Sequence, residues 1–446
     1  KRSNYGFNVN YRFDDKKTSW NVDADYGIFR NRREEYQPNA YLSADESTTL
    51  SERNYSTTAP TNIDILTFKV DYERPVWDGK LGVGLKTTYV NTDNTFENYQ
   101  IINDVPVLDI NRSSQFEYKE NVNAVYTSFT KQIKKFGIQI GLRLEQTNSR
   151  GTLLADVITD DDDVKRSYID LFPSGGLTYN LNRKNSLQLN YSRRLDRPDY
   201  QNLNPFQFRQ DELSYYAGNP FLRPQYTNNF QLSHTYNYRF VTSFSFSQTK
   251  DLMTRVSDLD GDQRFLAWIN LTDQFNYSLA FSAPVAITKW WGSFSSLTAY
   301  HTYNRAEQTA EINTVDLKVY AARLYSQHTF TLPWKMKFEV SGWYGSPSVW
   351  GGTFRTDGMF GIDAGLQKKF WDGKGNIRLG MSDIFNSQNW SGSSEYGILR
   401  TESNGGWDSQ RFKIDISYFF GNDKVKSRKR KTGLEEETKR TSGGSG

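Results

Sequence analysis

The feature that most constrains the fold is the regular alternation of side-chain character near the end of the chain. In the stretch Arg411–Tyr418, apolar side chains alternate with polar or charged ones, and Phe420 continues the apolar set. Since successive residues of a β-strand point to opposite faces, this pattern predicts a strand with one apolar and one polar face. Similar stretches recur along the chain. A closed barrel accommodates many such strands by turning their apolar face to lipid around a polar interior.

Composition supports a large transmembrane antiparallel β-barrel. Aromatic residues make up 15% of the 446 residues, with 28 Tyr, 29 Phe and 11 Trp. In membrane barrels, Tyr and Trp collect in two girdles at the lipid–water boundaries. The mean hydropathy is −0.74. The sequence also lacks any run of about 18 apolar residues, which excludes transmembrane helices but not transmembrane strands.

Charge and cysteine content exclude several functions. The 55 Lys and Arg residues are nearly balanced by 51 Asp and Glu residues, so the net charge of +4 gives no basis for nucleic-acid binding. The absence of cysteine excludes disulfides, thiolate metal sites and thiol nucleophiles. No Gly-x-Ser-x-Gly motif is present either. We therefore predict no catalytic residue, no cofactor and no enzyme activity.

Short turns alternate with longer polar connections along the chain. Short turns are predicted at 14–16, 78–80, 134–136, 182–185, 237–239, 289–291, 333–335 and 372–374. Longer connections are predicted at about 31–60, 98–112, 152–164, 197–226 and 386–407. This asymmetry is typical of outer-membrane barrels, with short periplasmic turns and long extracellular loops. An array of soluble β-sandwiches, the competing interpretation, would not show it.

The predicted turns give an estimate of the number of strands. Each short turn joins two strands and the final strand stands alone, which predicts roughly 17 strands. This number is odd, whereas single-chain bacterial barrels have even numbers of strands. We therefore expect further strands before Lys1, with this chain as the C-terminal part of a larger barrel. Two regions are predicted, the barrel at 1–421 and a charged periplasmic tail with a flexible end at 422–446.

Two acidic stretches have the residue type of calcium sites, because hard cations take oxygen ligands. Residues 160–163 are four consecutive Asp, and in 258–262 Asp residues alternate around Gly261. In the second stretch, the Glu that closes a 12-residue calcium loop would fall at Ile269. Solvated loop tips explain both stretches, and we favour that interpretation.

The three histidines and a cluster of arginines are the remaining candidates for a metal-binding or an anion-binding site. His234, His301 and His328 lack metal-ligand spacing, so no metal site is predicted. The stretch 193–198 contains three Arg, whose forked donors match anionic oxygens such as lipopolysaccharide phosphates. Pairing of these Arg with Asp196 and Asp199 is the simpler interpretation, which we favour. The ligand-binding residues stay unknown at this point.

The end of the chain differs from the rest in composition. Six Lys and Arg residues fall within 424–431, and three consecutive Glu follow at 435–437. With few apolar residues, this region is predicted to be a solvated periplasmic tail. Residues 442–446 have the composition of a flexible linker.

Several motifs occur together in the centre and near the end of the chain. They are Tyr168-Ile169-Asp170-Leu171-Phe172-Pro173-Ser174, the strand from Leu187 to Tyr191 with Ser192-Arg193-Arg194, Arg197-Pro198, Leu203-Asn204-Pro205-Phe206, Gly218-Asn219-Pro220, Leu222-Arg223-Pro224 and Ser382-Asp383-Ile384-Phe385-Asn386. These motifs resemble those of TonB-dependent-receptor-like outer-membrane β-barrel proteins of the Bacteroidota. The resemblance implies a 22-stranded barrel filled by an N-terminal plug, with about 17 of the strands in this chain. It also implies location in the cell outer membrane, in contact with its lipid and lipopolysaccharide.

The resemblance leaves two functions open. The first is an uptake protein for a ligand too large for porins, coupled to the TonB system through an N-terminal part and assisted by a surface lipoprotein. The second is a non-transporting barrel that serves as a subunit of a larger outer-membrane complex. A TonB box and a movable plug would favour the first, and stable partner proteins would favour the second.

Overall fold

The computed structural model describes residues 1–15, 17–155, 163–307, 314–420 and 433–441, and it is built almost entirely of β-strands. The strands are β1 Arg2–Asp14, β2 Ser19–Leu42, β3 Thr49–Val76, β4 Gly79–Ile102, β5 Val105–Leu108, β6 Ser114–Ile133, β7 Phe136–Leu154, β8 Asp163–Asn182, β9 Asn185–Asp196, β10 Gln207–Asp211, β11 Ser214–Ala217, β12 Gln225–Tyr236, β13 Phe240–Asp260, β14 Gln263–Ala286, β15 Trp291–Ala306, β16 Val315–Leu332, β17 Met336–Gly345, β18 Ser348–Trp350, β19 Phe354–Thr356, β20 Met359–Phe370, β21 Gly375–Ser382, β22 Asn389–Tyr396, β23 Leu399–Gly406 and β24 Arg411–Tyr418. One short helix, α1 Glu435–Arg440, follows them.

The main sheet is an antiparallel meander. Its neighbours run in the order β1–β2–β3–β4–β6–β7–β8–β9–β12–β13–β14–β15–β16–β17–β20–β21–β24. The sheet has 20 strands, of which β5, β10 and β11 are short additions. The remaining 17 agree with the number predicted from the turns. The all-β antiparallel fold is therefore confirmed.

All eight predicted short turns join consecutive strands of this meander. Several use left-handed backbone at two successive positions, as in the turn of Trp77 (φ 50°) and Asp78 (φ 54°). Asn237 and Tyr238 repeat this geometry with φ values of 51° and 56°. Two successive left-handed residues match the twist of a tight hairpin, so these turns fix the register of the strands they connect.

The longer connections differ in part from the prediction. A connection was predicted at about 31–60, but β2 and β3 stay paired through most of it, and only residues 43–48 separate them. With 28 residues, β3 is far longer than the roughly 10 residues that span a membrane. The predicted loop 386–407 contains the paired strands β22 and β23. The reason is that polar strands can pair in water beyond the lipid, where alternation of apolar residues no longer marks them.

The two faces of the sheet differ as the alternation predicted. Directly opposite residues of neighbouring strands share a face, so rows of partners trace each face across the sheet. Apolar rows run across β1 to β7 and across β16 to β24. They consist of Tyr11, Val22, Val70, Leu85, Val125 and Leu144 in the first row, and of Phe330, Phe338, Leu366, Leu379 and Ile414 in the second. Many of these side chains are exposed, Ile414 to 56%, which fits a face covered by lipid.

Aromatic side chains gather at the short-turn end of the sheet. Trp20 and Tyr72 lie with ring centroids 4.4 Å apart, and Phe136 stacks on Tyr179 at 4.6 Å. At this end Trp77 is 80% exposed. Tyr and Trp rings prefer the boundary between lipid and water, so this row marks one edge of the membrane band.

Among the described residues, β1 pairs only with β2 and β24 only with β21, so the two ends of the meander do not pair with each other. The total of 22 strands for a complete barrel therefore stays a prediction. In the same part of the chain, no helix is long and apolar enough to cross a membrane.

Candidate ligand-binding site

A second, smaller sheet covers part of the main sheet at the long-loop end. Its strand order is β18–β19–β22–β23, built from the connections that follow β17 and β21. Tyr396 of this sheet packs with Val256, Leu271 and Leu317 of the main sheet in one buried apolar cluster. Because four strands of three to eight residues have little core of their own, this cluster holds the small sheet in place.

Hydrogen bonds fix the tip of the small sheet. The Asn304 side-chain amide donates to the Gly352 carbonyl at 2.7 Å, and the Thr254 hydroxyl donates to the Gly351 carbonyl at 2.9 Å. Gly351 has left-handed backbone, with φ 59°. A Cβ atom on Gly352 would lie 2.9 Å from Thr254 Cγ2, so the close approach of this turn to the main sheet requires a small residue.

Between the two sheets lies a cavity of about 1170 Å³. Trp and Arg side chains are prominent in its lining, namely Trp343, Trp350, Trp390, Trp407, Arg255, Arg264 and Arg323. Cavities that bind small molecules are usually apolar and aromatic with a few placed polar groups. This cavity has that composition, and its volume lies slightly above the usual range of roughly 300–1000 Å³.

Two of these arginines are held by aromatic rings. The Arg255 guanidinium lies 5.1 Å from the ring centre of Trp350, and that of Arg323 lies 5.7 Å from the ring centre of Tyr300. Guanidinium groups that stack on rings keep their N–H donors for other partners. The cavity can therefore bind an anionic ligand that also presents a ring or another flat apolar surface.

A second region of interest lies away from this cavity, where the connection between β9 and β12 folds onto the main sheet. We call residues 197–224 the inward loop. Leu203, Phe206 and Leu222 of this loop are buried together with Phe96 and Phe116 of the sheet. The long connection predicted at about 197–226 is present, since β9 ends at Asp196 and β12 begins at Gln225. Its polar character was predicted too broadly, because these apolar residues are buried against β4 and β6.

The Gly218-Asn219-Pro220 motif explains how the inward loop closes on itself. A Cβ atom on Gly218 would lie 2.1 Å from the Asn204 carbonyl oxygen, so only glycine fits. Asn219 accepts a hydrogen bond from the Phe221 amide at 2.8 Å and donates one to the Trp268 carbonyl at 3.0 Å. The motif thus ties the loop to β14.

The arginine stretch 193–198 forms internal contacts that include Glu145 and Tyr226. Arg197 contacts Glu145, which also accepts a hydrogen bond from Arg143 Nε at 2.7 Å. The Arg193 guanidinium lies 5.4 Å from the ring centre of Tyr226. Pairing with Glu145 was not visible in the sequence, because the two residues meet only when β7 and the inward loop come together.

Part of the predicted tail also lies on the polar face. We call residues 433–441 the C-terminal segment; it contains α1. Leu434 packs with Ile63, Ile65 and Val90, and Arg440 pairs with Glu120. For these residues the expectation of a solvated tail was wrong, since charged groups on the sheet match those of the segment. Residues 421–432 and 442–446 lie outside the described residues, and the division of the chain at 421 stays a prediction.

The remaining candidates have structural roles where the structure describes them. Gly261 (φ 59°) forms the tip of the β13–β14 hairpin, as the turn interpretation predicted. Of the run 160–163, only Asp163 is among the described residues, and it pairs with Arg150 at 2.8 Å. His234 lies 3.0 Å from Asn185 Oδ1. Among the described residues, no group of three or more His, Asp or Glu side chains is arranged to hold a metal ion.

The sequence did not indicate the cavity, because its lining comes from strands and loops far apart in the chain. Trp350, Trp390 and Trp407 all fall in or beside connections. Aromatic residues in otherwise polar connections are the one signal in the sequence that could have indicated them.

The fold and the position of its apolar face define a class, the transmembrane β-barrels of the outer membrane. A sequence model described as "Outer membrane protein beta-barrel family" matches residues 11–418, and the chain belongs to this family. The protein is therefore located in the outer membrane. No curated protein matches the chain.

Solved structures with a similar fold are receptors and transporters. The ferric yersiniabactin uptake receptor FyuA from Yersinia pestis is 12% identical with a TM-score of 0.62, covering 94% of this chain and 62% of its own. The copper transporter OprC gives the same identity and TM-score, with 94% and 72% covered. The siderophore receptor PiuA from Acinetobacter baumannii is 12% identical with a TM-score of 0.62, and the match covers 94% of this chain and 64% of PiuA. At this identity the similarity shows the fold alone, and the chain spans about 62% of the length of the first of them.

Proposed function

We propose that the protein is an outer-membrane uptake receptor for an anionic, ring-bearing ligand too large for porins. The observation that carries this proposal is the cavity of about 1170 Å³ between the two sheets, with its Trp and Arg lining. The fold shared with uptake receptors supports it. The TonB system, reached through an N-terminal part, and a surface lipoprotein are the partners that this function would require.

In this proposal, the cavity captures the ligand at the long-loop end. The rings of Trp350 and Trp390 cover its flat surface, while Arg255 and Arg323 donate hydrogen bonds to its anionic oxygens. Because the small sheet is joined to β17, β20, β21 and β24 by connections, movement of these connections would open or close the cavity. Release towards the short-turn end would then need energy from the inner membrane.

The first experiment is purification of the full-length protein from outer membranes in mild detergent, followed by mass spectrometry of the extracted small molecules and proteins. We expect an anionic compound to co-purify. The variants Trp350→Ala and Arg255→Gln should lower its amount at least about tenfold, because each removes a side chain that the bound ligand would cover.

Trp77→Ala is the matched control, because Trp77 lies at the short-turn end and is 80% exposed. This variant should retain the compound at the wild-type level. If no compound is bound, or if all three variants bind it equally, the proposed site is wrong.

A second function, that of a non-transporting subunit of a larger assembly, is favoured by one observation. The inward loop and the C-terminal segment both occupy the polar face that a transported ligand would pass. Purification of the protein with a fixed set of other barrels and periplasmic proteins, without a small molecule, would support this function and contradict uptake.

A further inference from the structure

The C-terminal segment is held by contacts that repeat every third residue. Leu434, Glu437 and Arg440 are respectively 7%, 6% and 9% exposed. The intervening Glu436 has 72% of its side chain accessible and lies 3.2 Å from Lys86 Nζ as an outer, exposed partner. One face of the short helix α1 therefore faces the sheet while the other stays in solvent.

Each of these three side chains has a chemically matched partner. Leu434 lies among the buried Ile63, Ile65 and Val90. Glu437 Oε1 lies 2.9 Å from Lys86 Nζ. The third side chain, Arg440, binds the Glu120 carboxylate through two nitrogens, at 2.6 Å and 3.2 Å.

Arg440 contacts residues of both the sheet and the inward loop. Its Nε donates to the Pro198 carbonyl of the inward loop at 2.9 Å, and its guanidinium lies 4.2 Å from the ring centre of Tyr200. Glu120 also accepts a hydrogen bond from the Tyr118 hydroxyl at 2.7 Å and is 2% exposed. A carboxylate buried to this degree requires a cationic partner, and the segment supplies it.

The start of the segment is fixed as well. The Gly433 amide donates to Asp25 Oδ2 at 2.9 Å. A Cβ atom at this position would lie 2.7 Å from the same oxygen and 3.0 Å from Thr67 Cγ2, so glycine is required for the contact. The contacts of the segment thus come from β2, β3, β4, β6 and the inward loop.

We propose that the polar face of the sheet carries a peptide-binding site for the pattern Leu-x-x-Glu-x-x-Arg, and that the C-terminal segment is its resident ligand. The site comprises an apolar pocket for Leu, a Lys for Glu and a carboxylate with an aromatic ring for Arg. The segment acts as an internal plug, because in its bound position it contacts β2, β3, β4, β6 and the inward loop.

A disulfide cross-link in the full-length protein in outer membranes tests the proposal. The chain has no cysteine of its own, and an ideal Cβ at Gly27 lies 3.3 Å from Leu434 Cδ1. The variant Gly27→Cys/Leu434→Cys should form a disulfide on mild oxidation, detected as a linked peptide by mass spectrometry. Gly292→Cys/Leu434→Cys is the control, since Gly292 on β15 has no neighbouring atom within 4 Å. Equal linkage in both pairs would mean that the segment moves freely, and would overturn the proposal.

The charge pattern is tested in the same cysteine background. Glu120→Gln and Arg440→Ala should each lower the yield of linked peptide at least about tenfold, because each leaves a buried charge without its partner. Glu117→Gln, an exposed neighbour on β6, should leave the yield unchanged. Arg440→Ala leaves the sheet itself unaltered. If this variant gives the same yield of linked peptide, the Arg440–Glu120 contact does not hold the segment and the proposed peptide-binding site is wrong.

Discussion

The guanidinium of Arg440 and the carboxylate of Glu120 are separated by 320 positions in the sequence, yet their closest atoms lie 2.6 Å apart. The contact is bidentate, and the guanidinium also lies over the ring of Tyr200. Lysine has the same charge as arginine but lacks the planar fork that makes this geometry possible. The pair therefore depends on the shape of the cation as well as its charge.

Arg440→Lys should weaken the docking of the C-terminal segment while leaving the charge unchanged. We expect tryptic cleavage after position 440 to become roughly tenfold faster, because cleavage follows the population of the undocked segment. Peptide mass spectrometry over a time course measures this rate. Lys439→Arg also conserves charge and leaves the Arg440 contacts in place, and it should cleave at the wild-type rate. Equal rates in both variants would show that the fork is unimportant.

Glu145→Gln should destabilise the sheet near the inward loop by about 3–5 kcal/mol, because it removes the carboxylate shared by Arg143 and Arg197 in a buried position. The free energy of unfolding is measured by titration with urea. Folded and unfolded protein are separated by their heat-dependent difference in electrophoretic mobility. Glu117→Gln, in an exposed pair with Lys119, should change it by less than about 1 kcal/mol. A small effect at Glu145 would mean that Arg197 finds another partner.

Gly218→Ala should displace the inward loop. The new Cβ would lie 2.1 Å from the Asn204 carbonyl oxygen, and overpacking against backbone costs about 1–3 kcal/mol or more. The same unfolding assay measures the loss. At Gly292 no atom lies within 4 Å, so Gly292→Ala should be close to neutral. Wild-type stability of Gly218→Ala would contradict the close approach seen in this loop.

Ile414→Arg should cost roughly 2–4 kcal/mol if the side chain faces the middle of the lipid layer. Ile414 is 56% exposed on the apolar face, opposite Leu379. Lys413→Ala, on the polar face, should cost far less, because Lys413 is in an exposed pair with Asp415. Reversible unfolding from lipid vesicles compares the two, and equal costs would contradict the assignment of the faces.

Asp383 links pH to the small sheet. Burial raises its pKa, but hydrogen bonds from the Ser409 and Ser387 hydroxyls and from the Ser387 and Gln388 amides outweigh burial and lower the pKa from 3.8 to about 2. A lowered carboxyl pKa stabilises the folded state above pH 3.8, and this contribution is lost as the pH falls towards 2.

We therefore expect tryptophan fluorescence of the cavity to change between about pH 4 and pH 2 in the wild type. Asp383→Asn should abolish the change in that interval. Glu395→Gln, an exposed carboxylate of β22, should behave as the wild type. An unaltered acid transition in Asp383→Asn would show that other groups control it.

The sequence predicted the membrane-spanning part of the fold well, for a physical reason. The lipid imposes alternation on each strand, as in Ile414 and Ile416 of β24, and tight hairpins require particular residues, as in Asp78-Gly79. Both signals are local. Strand number and turn positions could therefore be found without any knowledge of the contacts between distant residues.

The candidate sites could not be predicted, because they depend on distant contacts. In the sequence, Lys86 and Glu437 are not distinguishable from other charged residues. They become partners only when β4 and the C-terminal segment come together. Likewise, Arg255 and Trp350 meet only because the small sheet folds back on β13. Alternation also ceases to be informative beyond the lipid, which is why the lengths of β2 and β3 were missed.

The position of the C-terminal segment has a consequence for the order of biogenesis. Its contact with Asp25 spans 408 positions of sequence, so this segment closes on a strand that is synthesised much earlier. Closure over such a separation is entropically costly and comes late. It requires β2 to β6 and the inward loop to be already in register. Docking of the segment therefore distinguishes a finished molecule from one whose assembly has stalled.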